Sequence, residues 1–274
     1  MKILVTGGNG FIGRNLVKSL KKDYEVYTPT SSQLDLTDEK LVEEYLRNKF
    51  FDVVIHCAIK GGRRNIQDSA FTLQDNLKMF FNLMNNKDRF DRFITFASGA
   101  DFDKTKNVNN NNHNLKESYP INPYDMSKNI ISRILKECSR CYNFRIYGAF
   151  GIDEAEDRFI LSNVKRYRNQ QPIKIHKNRY WDFIYIKDLV NIVKHYIDNP
   201  TLDLDNEMDL VYQDLLSLKD IGEIINNLDR HKVEIKLDNN SRDLDYLGNK
   251  SMGINLPIEL IGLKKGIEEI YNAV

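Results

Sequence analysis

Apolar positions along the chain follow two periods. Short runs at residues 1–6, 24–28, 51–57, 90–97 and 142–147 predict strands. The run at 51–57 is nearly continuous in apolar character, as in a parallel-sheet strand covered on both faces. Between these runs the apolar spacing becomes helical, at 14–22, 39–48, 71–85 and 124–137. Phe71, Leu73, Leu77, Phe80, Phe81 and Met84 show it most plainly and read as packing. Thr37 or Asp38 is placed to cap the second helix, because a short oxygen-bearing side chain satisfies free first-turn N–H groups.

Further on, a helix at 157–169, extended pieces at 172–176 and 183–186 and a helix at 187–199 continue the alternation. Beyond about residue 200 the rhythm weakens, leaving short elements at 218–228, 232–237 and 256–273. Alternating strands and helices predict an α/β fold with a doubly wound parallel sheet and a small C-terminal substrate-binding part. The expected division is 1–165 for the nucleotide-binding domain and 166–274 for a mixed substrate-binding region. Residues 183–199 of that region return to the first domain. The asparagine-rich segment 104–116 has little to bury and predicts an exposed insert.

Composition changes this picture little. The 274 residues are 41% hydrophobic and 29% charged with a net charge of +1, so no field draws the chain to nucleic acid or a membrane. Cys138 and Cys141 form a Cys-x-x-Cys without a second pair, and neither a redox couple nor half a metal site is expected. Cys57 falls in a buried strand. The histidines are scattered without ligand spacing, and no metal is predicted. The chain opens directly into a core strand without a signal peptide, and no run of eighteen apolar residues occurs, so a cytoplasmic location is expected.

Candidate chemistry begins at the first strand. Gly7, Gly10 and Gly13 give Gly-x-x-Gly-x-x-Gly after a strand and at the opening of a helix. A tight turn, close backbone approach to a pyrophosphate and close helix–strand packing each call for glycine, and the helix N-terminus offers free N–H groups to phosphate. This predicts a Rossmann-type dinucleotide site. After the second strand the ribose-facing residues are Thr28-Pro-Thr-Ser-Ser32, neutral where an acidic side chain would favour NAD. NADP(H) is therefore favoured, with NAD(H) as the alternative. No arginine lies on that spot, although Arg14 and Lys2 are candidates to supply charge from elsewhere. The loop 58–65, basic and glycine-bearing, follows the third strand at the sheet edge where ligands bind.

Tyr124 and Lys128 stand four apart at the start of a helix, so both project from one face. A tyrosine hydroxyl with pKa near 10 is a poor proton carrier at neutral pH, and a nearby ammonium favours the phenolate. Ser98, ending the preceding strand, is placed to hydrogen-bond the same substrate oxygen.

These residues, taken together, resemble an extended short-chain dehydrogenase/reductase of the NAD-dependent epimerase/dehydratase family, whose members modify nucleotide sugars. The resemblance rests on Thr6-Gly-Gly-x-Gly-Phe-Ile-Gly13, Asp35-Leu36, His56-Cys-Ala58, Asn76, Ser98, Pro123-Tyr-x-x-Ser-Lys128, Arg145-x-Tyr-Gly148 and Asp182-Phe-Ile-Tyr-Ile-x-Asp188. It spans roughly residues 1–190. Beyond them only Arg242-Asp243 and the closing Leu263-x-x-Gly-Ile267 follow the family's outline.

It implies that Gly7, Gly10, Phe11, Ile12, Gly13, Asp35, Leu36, Ala58, Lys60 and Asn76 line the cofactor. Tyr124 would be the catalytic acid/base. Lys128 would hold the nicotinamide ribose and tune Tyr124, and Ser98 would orient the sugar. Within the family, 58–62 is most similar to the GDP-L-fucose synthase-like nucleotide-sugar reductases. Those enzymes epimerise with a cysteine two residues after the catalytic serine and with a histidine further on. Here the positions hold Ala100 and Arg158, which leaves ketone reduction as the implied reaction. Arg158, Asn163, Arg179, Trp181 and Arg242 are the substrate-binding candidates, the arginines for their fork geometry toward phosphate.

The expected function is NAD(P)H-dependent reduction of the C4 ketone of a 4-keto-6-deoxy nucleotide sugar, by a homodimer. The alternatives are a 4-epimerase with retained NAD and an inactive cofactor-binding regulator.

Overall fold

The computed structural model describes residues 1–62, 67–109, 113–239 and 242–274. Arg63, Arg64 and Asn65 of the basic loop, and residues 110–112 of the asparagine-rich segment, lie outside the described residues.

In chain order the elements are β1 (Lys2–Thr6), α1 (Phe11–Leu20), β2 (Glu25–Tyr27), α2 (Glu39–Leu46), β3 (Phe51–His56), α3 (Ala70–Met84), β4 (Phe90–Ser98), α4 (Pro123–Leu135), β5 (Cys141–Ile146), β6 (Ala149–Phe150), α5 (Phe159–Arg168), β7 (Ile173–Lys177), β8 (Ile184–Tyr185), α6 (Ile186–Asp198), β9 (Glu207–Asp209), α7 (Leu218–Asn226), β10 (Ile235–Asn239) and α8 (Leu263–Ala273). Asp38 caps α2, its carboxylate accepting from Leu41 N at 3.1 Å, so of the two caps the sequence offered the aspartate serves.

Two compact units emerge. The first comprises residues 1–103, 114–145 and 193–208, and the second 104–113, 146–192 and 209–274. The central sheet runs in the order β2-β1-β3-β4-β5-β9, with β1 parallel to β2 and β3, and β3 parallel to β4. Strand order reverses between β1 and β3, the switch point at whose carboxyl ends an open α/β sheet binds its ligand. Leu4, Val54, Phe80, Leu83, Phe93 and Ile131 form part of the core beneath that point. The doubly wound Rossmann-type fold expected from the sequence is the fold observed.

In the second unit β7 pairs in parallel with β10, and β6 with β8. The family signature Asp182 to Asp188 does architectural work here. Asp188, fully buried, accepts from the backbone N–H groups of Ile261 and Gly262 and from the Tyr212 hydroxyl. Asp182 accepts from Gly248 N and pairs with Lys250 at 2.5 Å. Buried carboxylates placed this way staple a strand-poor C-terminal segment, because each otherwise costly charge satisfies backbone donors.

Cys138 and Cys141, for which neither a redox couple nor half a metal site is expected, are joined as a disulfide with Cα atoms 5.5 Å apart. The turn between α4 and β5, with Arg140 at φ 57°, brings both residues to the same side. Cys57 is a free thiol.

Candidate active site

The turn after β1 explains its glycines. Gly7 has φ 67°, and a Cβ there would lie 2.5 Å from Ala58 N. A Cβ on Gly13 would lie 2.2 Å from the Gly7 carbonyl oxygen. Strand, loop and helix therefore close to a distance only glycine allows, while Gly10 caps α1 through its backbone, with Phe11 and Ile12 opening the helix. Beside this turn lies a cavity of about 390 Å³ lined by Thr6, Gly7, Gly10, Asp35, Ala58 and Lys60, among others. Thr30, Ser31 and Leu36 line it as well.

The floor of that cavity is held by one amide. Asn76, 1% exposed, accepts from Lys60 N at 2.9 Å and donates to Lys60 O at 3.0 Å and to Ser127 Oγ at 3.1 Å. The Lys60 ammonium pairs with Asp75 at 2.7 Å. Asp35 is turned onto Thr37, whose N–H and hydroxyl hold its carboxyl below the usual carboxylate range.

α4 begins at Pro123, a first-turn proline, with Asn122 capping the N–H groups of Tyr124 and Asp125. That fixes Tyr124 at the mouth of the helix, half-buried and hydrogen-bonded with Ser98. Gly62, at φ 68°, lies flat against the tyrosine ring; a Cβ there would come within 2.8 Å of it. Lys128, one turn on, donates to the Phe96 carbonyl at 2.6 Å. Ser98, Tyr124 and Lys128 are thus gathered at the ends of β4 and α4.

Their electrostatics differ from the sequence expectation. Burial pushes the Tyr124 phenol well above its ordinary value, and Asp101, Asp125 and Asp68 push the same way against the Ser98 hydrogen bond. Burial also brings Lys128 down to about 8, opposed by Asp101 and Cys57. The lysine gives one of its three donors to the Phe96 carbonyl. Tyr124 is held as a neutral phenol, a donor. His56, bonded through Nδ1 to Thr6 Oγ1 at 2.8 Å, is brought down to about 3 by burial first and by Lys128 second, and stays neutral. Burial raises the Cys57 thiol to about 12.

The substrate candidates all fall in the second unit, where their side chains have internal partners. Asn163 is 2% exposed; it donates to Phe159 O and Lys174 O and accepts from Lys174 N. Its amide ties α5 to β7. Arg179 stacks 4.1 Å over Trp181 and approaches Asp243 at 3.5 Å. Trp181 itself donates from its indole to Tyr147 O at 3.0 Å and stacks on Phe183. Arg242 lies over Tyr180 and pairs with Asp245 at 2.8 Å. Arg158 is exposed at the N-cap of α5, beside the buried Glu154.

Sequence reasoning passed over Asp101. The signal was present: Ser98-x-x-Asp101 is a capping-box spacing, and the box forms. Among the described residues no cluster of histidine, cysteine or carboxylate groups could hold a metal, and no helix is long and apolar enough to cross a membrane.

The profile of the NAD dependent epimerase/dehydratase family matches residues 3–210. The chain belongs to this family. The chain spans 28% of the length of the first curated relatives it matches. An 86-residue stretch is 41% identical to a GDP-L-fucose synthase from Azorhizobium caulinodans, covering 30% of this chain and 28% of that protein. Over whole chains the likeness is one of fold. The GDP-mannoheptose C4 reductase of Campylobacter jejuni, solved with NADP bound, superposes with a TM-score of 0.76 at 16% identity, covering 99% of this chain and 97% of the other. The UDP-glucose 4-epimerase of Thermus thermophilus, in complex with NAD, gives 0.73 at 16% identity, over 99% and 98%.

The residues fit a dinucleotide. The turn at Gly7 and Gly13 is a cradle that any Cβ would fill, and it opens onto the N-terminus of α1, where backbone N–H groups suit a pyrophosphate.

Proposed function

We propose that the chain reduces the C4 ketone of a 4-keto-6-deoxy nucleotide sugar, with NADP(H) as the favoured cofactor. Gly7, Gly10 and Gly13 would hold the pyrophosphate, Asp35 and Leu36 the adenosine end, and Lys128 with Tyr124 the nicotinamide ribose. When bound, the nicotinamide supplies the hydride. The chain's part is placement and the proton. Ser98 and Tyr124 together receive the ketone oxygen, and Tyr124 donates its phenolic proton to that oxygen as negative charge develops on it. Lys128, one turn along the helix, stabilises the phenolate left behind.

The observation that carries this reading is the gathering of Ser98, hydrogen-bonded with Tyr124, and Lys128 one turn along α4 at the end of β4. Ala100, in the position of the epimerising cysteine, supports reduction without epimerisation at C3 and C5. The uncharged Thr30 and Ser31 lining the cavity support NADP(H) over NAD(H), as does the likeness to a reductase solved with NADP.

The similarity to a 4-epimerase supports a second reading, in which tightly held NAD is reduced and reoxidised within one turnover. NADPH and NADH oxidation measured against a panel of 4-keto nucleotide sugars, with product stereochemistry determined, separates the two. Net NADPH consumption is expected. Co-purified NAD with no net consumption would overturn reduction in favour of epimerisation.

Exposed Phe71 and Phe81 on α3 and Ile134 on α4 support a homodimer formed through these helices. Sedimentation should give twice the chain mass, and Phe71→Glu should halve it.

A further inference from the structure

Asp101 is fully buried in the first unit and belongs to none of the catalytic groups named so far. Its carboxylate faces two ways. Oδ1 accepts from Ser98 N at 3.4 Å, closing a box in which Ser98 Oγ accepts from Ala100 N at 3.2 Å. Oδ2 accepts from Ser132 Oγ at 2.7 Å and from Arg145 Nε at 3.1 Å. The Asp101 backbone carbonyl accepts from Asn129 Nδ2 at 2.7 Å and from Ser118 Oγ at 3.2 Å.

Tyr124, Lys128 and Ser132 are successive fours on α4, one stripe of that helix. One side chain thus bonds both to the turn carrying Ser98 and to the helix carrying Tyr124 and Lys128. Arg145, 1% exposed, neutralises it from behind and passes the charge on to Glu207 at 3.2 Å.

We infer that Asp101 is a positioning residue for the proton-donating pair, setting the Ser98–Tyr124 separation and holding a negative charge beside both Tyr124 and Lys128. The inference rests on Tyr124 being the proton donor. Two observations carry it beyond a buried ion pair that merely packs. The carboxylate bonds the Ser98 backbone itself, and its field reaches Tyr124 and Lys128 in the same sense, favouring the protonated form of each.

The other titratable groups facing these two are Asp125 on the same helix, Asp68 from the loop before α3, and the uncharged His56 and Cys57 at the end of β3. Asp101 bonds the Ser98 turn directly. An amide in its place could accept from one side alone, and its N–H₂ would oppose the donor on the other.

The test is Asp101→Asn in the full chain. The Tyr124 phenol is followed by carbon NMR of ring-labelled tyrosine, assigned by loss of its signal in Tyr124→Phe. The expected result is a Tyr124 titration about 1 pH unit lower than in wild type. The alkaline limb of kcat should move down with it. kcat should fall about 10- to 100-fold, as a misplacement of 1 Å or less would cause, with KM for cofactor and sugar within about 3-fold.

Should Arg145, left with Glu207 but without Asp101, prevent folding, Asp101→Asn with Arg145→Met removes both charges of the buried Asp101–Arg145 pair and leaves the same readouts. Glu207→Gln, at the far end of the network, should lower Tm without moving the titration. A variant that loses stability while its Tyr124 titration and kcat stay at wild-type values would overturn the inference. The NMR titration needs no substrate. If wild type reduces no 4-keto sugar, the reaction assignment fails while the titration still judges Asp101.

Discussion

Asp101 in the first unit and Asp188 in the second are both fully buried, and both are fully bonded. Their partners differ in kind. Asp188 accepts from two backbone N–H groups and a tyrosine hydroxyl far along the chain, and so pins a segment with little regular structure. Asp101 accepts from Ser98 N and Ser132, and its field falls on a tyrosine and a lysine that stay half-buried. The same desolvated charge serves as a staple in one unit and as part of a proton-holding arrangement in the other. Each charge reaches a half-buried tyrosine, Tyr212 beside Asp188 and Tyr124 beside Asp101, so what separates the two uses is the company: backbone N–H groups in the second unit, Ser98 and Lys128 in the first.

The contrast breaks most sharply at Tyr124. Tyr124→Phe should reduce turnover by about 10³-fold or more, with cofactor affinity and Tm unchanged, as paired kinetics and calorimetry would show. Substantial activity in that variant would mean that the neutral phenol is another packed hydroxyl. Gly7→Ala comes next, at about 3 kcal/mol of stability, because φ 67° and the contact with Ala58 N both oppose a side chain. Cofactor titration by fluorescence should also show affinity lost, since the turn and its free N–H groups move together.

Asp188→Asn should cost about 1–3 kcal/mol in denaturant unfolding while activity per folded molecule stays within about 2-fold. A loss of kcat at constant stability would sharpen the picture in the opposite direction and make the second unit's staple a participant.

The smallest effect is expected at Glu154, where burial raises the carboxyl to about 8 against the N–H groups of Leu161 and Gly151 and the Arg158 charge, all of which favour ionisation. The folded form holds a proton that the unfolded chain releases near its ordinary 4.5, so the stabilising contribution is complete below that value and is lost as pH rises toward about 8. Glu154→Gln should flatten this part of the stability–pH curve. A slope unchanged in the variant would place the titration elsewhere.

The dinucleotide turn was legible because glycine spacing, strand and helix all constrain the same few residues, and Tyr124 with Lys128 because one helical turn aligns them. The surroundings of Asn163, Arg179 and Arg242 were not legible, for the opposite reason. Nothing local to Asn163 reveals that the Lys174 backbone satisfies its amide. Nor does Arg242, read alone, show that Asp245 holds it. Tyr124 was expected to be tipped toward phenolate because residues four apart on a helix suggest a charge contact. In the fold, one of the lysine's donors goes to the Phe96 carbonyl, and burial raises the tyrosine. Long-range satisfaction of polar groups is what a linear pattern hides.

Gly62 lies against the Tyr124 ring with nothing larger than a hydrogen between them. For an engineer this makes position 62 a gauge of the site. A library randomised there has no neutral members other than glycine unless the tyrosine yields, so each tolerated substitution reports how far the proton donor can swing. Changing substrate range by reshaping this loop would therefore trade directly against the tyrosine's aim.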